Sequence, residues 1–264
     1  MNFSTDGDPS RRQIFDSLMS HEIGENSLIF PIISELMLID TNVGENDETV
    51  NFDPKHLCKR IRTFIIGSNF YIGKDNLVLK EDISKILNST SSSEKYSNES
   101  LLNPVDKQNV PLAVEFLNQF CKAVRQKDKV KSLSFKLSCV FEFLYLFTFV
   151  IEGVLVTFTN PSISIEEQLE KTSQAAHILM ILKHKLEKFL PNQLYYDIQA
   201  TFKDAFFCSA KWKVHHPEEP FFLMLCSNDV LERFFGCLRL KYKFCSIDNL
   251  EILYASRSMV FISF

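Results

Sequence analysis

Residues 220–242 read PFFLMLCSNDVLERFFGCLRLKY, a short apolar run followed by an amphipathic helix. The run over residues 221–225 is typical of a buried strand or of the end of a buried helix. Capping residues follow it, and the helix over residues 230–241 carries one apolar stripe at the spacing i, i+3, i+4 and i+7. Glu232 lies in the first turn of that helix, one turn before Gly236, where a carboxylate could face a cleft. The alternative is a solvated or capping glutamate at a helix N-terminus.

The composition of the 264-residue chain is that of a globular protein rich in helix. Apolar residues make up 45% and charged residues 23%, while 25 phenylalanines against 7 glycines argue against a turn-rich all-β fold. The length allows one large domain or two smaller ones. Because the formal net charge is -4, the chain has no global attraction to nucleic acid, and any such binding depends on local patches.

The seven cysteines form no CxxC pair, and the N-terminus lacks the apolar segment of a secretory signal. These features indicate free thiols in a reducing compartment and a protein that is not secreted. Metal ligation by Cys237, Cys245, His215 and His216 is the alternative, and we favour free thiols.

Residues 6–9, Asp6-Gly7-Asp8-Pro9, give a turn signal between a short lead and a helix that opens near Ser10. A strand, an acidic turn and a helix in this order place a carboxylate at the carboxyl end of a strand, where active sites of α/β folds gather. Asp6 and Asp8 are therefore candidate site residues. A plain Asx turn explains the local pattern equally well.

Residues 52–62, FDPKHLCKRIR, predict the start of an amphipathic helix. Asp53 is a good N-cap, and Pro54 suits the first helical position. The Asp53 carboxylate could also orient the imidazole of His56, three residues on. Lys55, Lys59 and Arg62 lie on one face of it. The basic residues of this helix are candidates for contacts to phosphates, although an ordinary surface helix has the same pattern. They are Lys55, Lys59, Arg60 and Arg62.

Residues 137–158 are long and apolar enough to test as a membrane span. Glu142 and Glu152 lie within them, and each costs about 2.5–3.5 kcal/mol near the centre of a bilayer. We therefore expect a buried central helix rather than a membrane segment. Further helices are predicted over residues 111–125, 164–189 and 193–213.

Six motifs follow one another along the chain, and the similarity that they carry runs from about residue 4 to residue 259. They are TDGDPSRR at 5–12, FDPKHLCKRIRT at 52–63, LLNPVDKQNVPLA at 101–113, SISIEEQLEKTSQAAHILMIL at 162–182, FLPNQLYYDIQ at 189–199 and SNDVLERFFGCLR at 227–239. In their order and spacing they resemble transposases of mobile elements common in fungal genomes. Those proteins are related to the wider DDE group with an RNase H-like core, such as the P-element and hAT types.

The resemblance implies a catalytic core in which three carboxylates hold two divalent metal ions for DNA strand cleavage and transfer. By this resemblance Asp6, or its neighbour Asp8, matches the second acidic residue, and Glu232 matches the final glutamate after a large helical insertion. Asp53 and His56 match the acid/cysteine-x-x-histidine motif of the family. Oxygen ligands of this kind suit Mg²⁺ or Mn²⁺.

The family's first catalytic aspartate lies on a strand upstream of the second acidic residue, whereas only five residues precede Asp6 here. The expectation is therefore an N-terminally truncated transposase that is incomplete or inactive.

We predict a mostly α fold, with a helical insertion domain over residues 51–219 between remnants of an RNase H-like α/β core at residues 1–50 and 220–264. The expected function is that of a transposase-derived protein, with DNA as partner, a homo-oligomer as an open alternative, and a nuclear or cytoplasmic location. The rival functions are a non-catalytic DNA- or protein-binding descendant of a transposase and a membrane-associated helical protein.

Overall fold

The computed structural model describes residues 2–5, 14–15, 17–67, 70–72, 76–88, 96–126, 135–186, 189–227 and 236–237. The chain divides into two compact units, residues 1–226 and residues 227–264. All but a few of the described residues belong to the first unit, and the fold below is the fold of that unit. The domain boundaries predicted at residues 50 and 219 stay a prediction.

The described part of the chain is mostly helical with small sheets, which confirms the predicted fold class. The helices are α1 Phe30–Ile33, α2 Pro54–Gly67, α3 Lys80–Asn88, α4 Asn98–Leu102, α5 Val110–Arg125, α6 Phe135–Thr159, α7 Ile165–Lys185 and α8 Asn192–His215. The strands are β1 Asn2–Thr5, β2 His21–Glu22, β3 Asn42–Val43, β4 Thr49–Phe52, β5 Phe70–Ile72 and β6 Asn76–Val78.

The strands pair two by two. β1 and β4 run parallel, with Thr5 opposite Phe52, so the carboxyl ends of both strands lie at the same edge. The pairs β2–β3 and β5–β6 are antiparallel. A parallel pair needs a long crossover between its strands, and here residues 6–48 supply it. β4 also packs against α8, so this strand joins the sheet to the helical part of the molecule.

Helix α6 is the centre of the core, as the apolar sequence predicts. It packs against α5, α2 and, most extensively, α7. Buried positions recur along its length, and they are Val140, Phe141, Phe143, Leu144, Phe147, Val150, Ile151, Val154, Leu155 and Phe158. Glu152 lies at the edge of this packing, where it pairs with Arg125 of α5 at 2.6 Å. The predicted buried central helix is therefore confirmed.

Among the described residues one segment, Val140–Thr159, is long and apolar enough to cross a membrane. Most of that segment, 67%, is buried inside the protein, and the core helix of a soluble protein meets the same criterion. The packing of α6 thus gives the membrane interpretation no support.

The contact between α6 and α7 depends on small side chains. A methyl group at Gly153 of α6 would lie 2.4 Å from the Cβ of Ala175 on α7 and 3.3 Å from the ring of Phe202 on α8. Glycine therefore allows the two helix backbones to approach at this point. Beyond the crossing, Phe189 contacts a cluster of rings edge-on, with centroid distances of 4.4–5.6 Å to Phe143, Phe147, Phe64 and Phe70.

The apolar run at residues 221–225 is neither a strand nor the end of a long helix. It contains a short 3₁₀ helix, Leu223–Leu225, in which Leu223 is fully buried while Met224 and Leu225 are exposed. Only one side of the run therefore meets the core, which explains why its continuous apolar character was misleading.

Candidate functional site at the carboxyl end of the parallel strands

Asp53 follows β4 directly and is 1% exposed. One oxygen of its carboxylate accepts hydrogen bonds from the backbone N–H of Lys55 (2.8 Å) and of His56 (3.3 Å). The backbone carbonyl of Asp53 accepts a hydrogen bond from the N–H of Leu57 (3.0 Å). These bonds satisfy N–H groups that a helix start leaves unpaired, and the carboxylate also suits the positive end of the helix dipole. Asp53 is therefore the N-cap of α2, as the sequence predicts.

His56 lies half-buried in the first turn of α2. Its backbone N–H donates to the Asp53 carboxylate, so the cap fixes the backbone position from which the imidazole extends. The predicted side-chain pair between Asp53 and His56 stays a prediction.

The basic residues of α2 do not form one exposed face. Lys55 and Lys59 are half-buried near the surface, and the ammonium of Lys59 donates to the side-chain oxygen of Gln108 at 3.0 Å. Arg62, by contrast, is 1% exposed. Its guanidinium donates to the carbonyls of Lys107 (2.6 Å) and Asn109 (3.5 Å), which close the loop before α5 over it.

Burial lowers the pKa of Arg62, and Asp106 partly offsets that effect. The grouping of Arg62 with Lys55 and Lys59 on an exposed basic face was therefore wrong. A buried guanidinium is tolerated there because backbone carbonyls accept its hydrogen bonds.

Arg60 points to α8, where it forms an ion pair with Asp197. Its side chain is 30% exposed, while that of Asp197 is fully buried. A hydrogen-bonded charge pair of this kind fixes the angle between the two helices, because either charge left alone in the interior would be costly. Arg60 thus has a structural partner in addition to any contact it makes outside the protein.

Asp197 is the first of three buried polar residues that face β4 and α2 from one side of α8. The hydroxyl of Thr201 accepts from the backbone N–H of Phe52 at 3.1 Å. The carboxylate of Asp204 accepts from the hydroxyl of Thr49 (2.5 Å) and from the amide of Asn51 (3.0 Å). We call these contacts, together with the Arg60–Asp197 pair, the polar seam.

The polar seam was missed by the sequence analysis. Its three residues on α8 are spaced i, i+4 and i+7, which is the period of one helix face. A polar stripe with that spacing on a helix rich in phenylalanine was the available signal. Its effect is to hold β4 in place, and with it the position of Asp53.

A cavity of about 1020 Å³ lies beside the seam, between α7, α8 and the segment before β3. It is lined by both apolar and polar side chains, and the Asp40–Lys203 ion pair (2.7 Å) forms part of its wall. Burial raises the pKa of Asp40, but the hydrogen bond and charge of Lys203, together with the hydrogen bonds from Asn42, lower it by more, so this pKa lies below its ordinary value. Burial also lowers the pKa of Lys203, and Asp40 offsets part of that effect.

The predicted metal ligands Asp6 and Glu232 lie outside the described residues, as does Asp8. Their predicted approach to one another stays a prediction. Within the described part of the chain, one group of side chains has the spacing of metal ligands, namely Asp204, Cys208 and Cys226. These were not among the predicted ligands.

Comparison with known proteins gives one informative result. No family model matches the sequence, and no curated protein matches it. Among solved structures, a chain of the "Drosophila P element transposase strand transfer complex" matches with a TM-score of 0.61 at 16% sequence identity. The match covers 90% of this chain and 55% of that one, so the chain corresponds to about half of the transposase chain. The protein described here therefore has a transposase-like fold.

Proposed function

We propose that this protein is derived from a transposase and that its partner is DNA. The observation that supports this most directly is the likeness of 90% of the chain to part of a transposase chain in a strand transfer complex. The activity proposed for the family, metal-dependent cleavage and transfer of DNA strands, accords with the six motifs of the sequence. The proposal extends to an RNase H-like origin for β1 and β4 and to a helical insertion domain over residues 51–219.

The parallel pair β1–β4 supports a site at its carboxyl edge. Thr5 lies opposite Phe52, and the residues that follow them in the sequence are Asp6 and Asp53. Active sites of α/β folds lie at the carboxyl ends of parallel strands, which is where these carboxylates follow in the sequence. Within this arrangement Asp53 is a positioning residue, since it caps α2 and its own oxygens accept backbone N–H groups.

By the resemblance, Asp6 (or Asp8) and Glu232 would hold Mg²⁺ or Mn²⁺. Hard oxygen ligands of this type fit those ions, which activate water and stabilise the charge that develops on phosphate. The part that the described residues play is to fix β4, the strand with which β1, the strand before Asp6, pairs. β4 is held by the polar seam on one side and by β1 on the other.

Lys55 and Lys59 are the residues that we propose for contacts to DNA phosphates. Both lie in the first two turns of α2, near the surface and close to the carboxyl edge of β4. Arg60 and Arg62 carry structural contacts, so their contribution to DNA binding is expected to be smaller than the sequence suggested. We further propose a nuclear or cytoplasmic location, with self-association as an open alternative.

DNA binding is tested by the salt dependence of affinity for a short duplex. If about four phosphates are contacted, the logarithm of the association constant falls with the logarithm of salt concentration at a slope near -3.6. The double variant Lys55→Ala/Lys59→Ala is expected to bind more weakly and to reduce the slope to about -1.8, because two contacts are lost. Fluorescence anisotropy at several salt concentrations measures both quantities.

The matched control is Lys85→Ala/Lys171→Ala, which removes the same charge from an exposed position on α3 and a half-buried position on α7. An equal loss of slope in both double variants would show that the binding is a general charge effect and would count against a site at α2. No binding by the wild-type chain at low salt would favour a protein-binding descendant of a transposase.

Cleavage is tested separately with Mg²⁺ or Mn²⁺ and a supercoiled plasmid. We expect any cleavage to depend on Glu232, because the resemblance makes this carboxylate a ligand of the metal ions. Gel analysis of nicked and linear products measures the activity. Cleavage that is lost in Glu232→Gln would support the proposed role of Glu232, and cleavage that is unchanged in this variant would contradict it.

A further inference from the structure

Three potential metal ligands lie close together, two of them on α8 and the third after the 3₁₀ helix. Asp204 and Cys208 are one turn apart on the same face of α8, and Cys226 follows the 3₁₀ helix Leu223–Leu225. Their ligand atoms all lie within 4.8 Å of one another. The Sγ of Cys208 is 3.5 Å from the Oδ1 of Asp204, to which its thiol donates a hydrogen bond.

The positions of the ligands are fixed by the residues around them. The amide of Asn51 donates both to the carboxylate of Asp204 (3.0 Å) and to the carbonyl of Cys226 (2.7 Å). The hydroxyl of Thr49 donates to the other oxygen of Asp204. Hydrogen bonds of this kind, from a second layer of residues, orient the ligands of metal sites and hold them ready for the ion.

The distances agree with those of a tetrahedral site. Bonds of about 2.3 Å to sulfur and about 2.0 Å to oxygen, at tetrahedral angles, place the two ligand atoms about 3.5 Å apart. The observed distance between Cys208 and Asp204 has this value, and the ligand atom of Cys226 lies within 4.8 Å of both. Cys208 and Cys226 are half-buried, which leaves a route for an ion to enter.

We propose that Asp204, Cys208 and Cys226 bind a thiophilic divalent cation, with Zn²⁺ as the ion that best fits one carboxylate and two thiolates. Sulfur ligands favour Zn²⁺ over Mg²⁺ and Mn²⁺, and a fourth position remains for water or for a further ligand. The site is chemically different from the all-oxygen site expected at Asp6 and Glu232. This proposal does not depend on the proposed action on DNA.

Binding exchanges protons for metal. A cysteine thiol must lose its proton to coordinate a metal as a thiolate. On binding, each of the two thiols releases one proton to solvent, and two thiolates with one carboxylate coordinate the cation. No oxidant or reductant is consumed. The bound ion would join α8 to the segment after the 3₁₀ helix, close to where the first compact unit ends.

The first test uses Co²⁺ as a spectroscopic probe for the purified, reduced full chain. The wild-type protein is expected to bind about one Co²⁺ per chain, with thiolate charge-transfer absorption and the visible bands of a tetrahedral site, and Zn²⁺ should displace it. Cys208→Ser and Cys226→Ser should each abolish the charge-transfer band or weaken it strongly. The matched control Cys237→Ser, which removes an exposed thiol outside the group, should leave it unchanged.

A second measurement needs no variant and therefore holds even if a serine variant fails to fold. In the wild-type chain, Zn²⁺ should protect Cys208 and Cys226 from alkylation by iodoacetamide, as mapped by peptide mass spectrometry, while Cys237 stays reactive. The proposal is overturned by any of three results: no thiolate band with Co²⁺, equal Zn²⁺ protection of Cys237, or a Cys208–Cys226 disulfide in place of metal binding in the reduced preparation.

Discussion

Helices α6 and α8 are nearly equal in length, 25 and 24 residues, and both are packed inside the molecule, but they are buried by different means. α6 presents mostly aliphatic and aromatic side chains to its neighbours, and its buried polar residues, Thr148 and Thr157, are uncharged. α8 instead buries Asp197, Thr201 and Asp204 against β4 and α2. Apolar burial tolerates many substitutions at a graded cost, whereas a buried charge depends on one partner in one position. The helix with the polar face is therefore the one that sets geometry near the candidate site.

The largest effect is expected from removing the partner of Asp197. Arg60→Ala should lower the free energy of unfolding by about 3–5 kcal/mol, because a fully buried carboxylate loses its ion pair. Urea unfolding followed by circular dichroism measures the change.

Arg125→Ala is the matched control, since it removes the partner of Glu152 on α6. Both members of that pair are about one-third exposed, so the expected loss is below about 1 kcal/mol. Similar losses in the two variants would contradict the distinction between the helices.

A smaller effect is expected at the crossing of α6 and α7. Gly153→Ala gains helix propensity but places a methyl group against the Cβ of Ala175, and overpacking of this kind typically costs about 1–3 kcal/mol. Thermal unfolding should show a net loss of stability. The second change Ala175→Gly should restore most of it by making room.

Gly67→Ala serves as the control, because its added methyl would meet only Thr63 at an ordinary 3.7 Å. If Gly153→Ala proved as harmless as Gly67→Ala, the close approach of α6 and α7 would not be a constraint on the fold.

The smallest effect is expected in the acid dependence of stability. The pKa of Asp40 is below its ordinary value of 3.8, so the folded state binds this proton less readily than the unfolded state. The contact with Lys203 on α8 therefore contributes stability above that ordinary value and loses it as pH falls through the folded pKa. Asp40→Asn should flatten the stability curve between about pH 5 and pH 3.

Because Asp40 is 59% exposed, solvent screens the pair and the change should be modest. Glu81→Gln, at an exposed position of α3, is the control and should leave the curve as it is. A curve for Asp40→Asn that matched the wild type throughout acid pH would remove this pair from the contacts that stabilise α8.

The apolar elements could be predicted from sequence because their signal is local. The predicted helices over residues 137–158 and 193–213 compare with Phe135–Thr159 and Asn192–His215 in the structure. The N-cap at Asp53 was also predicted, since cap and helix are adjacent in the chain.

The polar contacts could not be predicted, because their partners are distant in sequence. Thr49 and Asp204 are 155 residues apart, and Arg60 and Asp197 are 137 apart. Arg62 was misplaced for the same reason, as the carbonyls that accept its hydrogen bonds belong to a loop 45 and 47 residues further on. A basic residue on a helical wheel does not show which loop will cover it.

The long sequence separation across the polar seam also has a consequence for folding kinetics. Contacts such as those between α6 and α7 join neighbouring segments and are expected to form early, while the closure of α8 onto β4 must wait for a loop of some 150 residues. Interactions that form after the transition state affect mainly the unfolding rate. Substitutions in the polar seam should therefore raise the unfolding rate, which shortens the lifetime of the folded state, and leave the refolding rate almost unchanged.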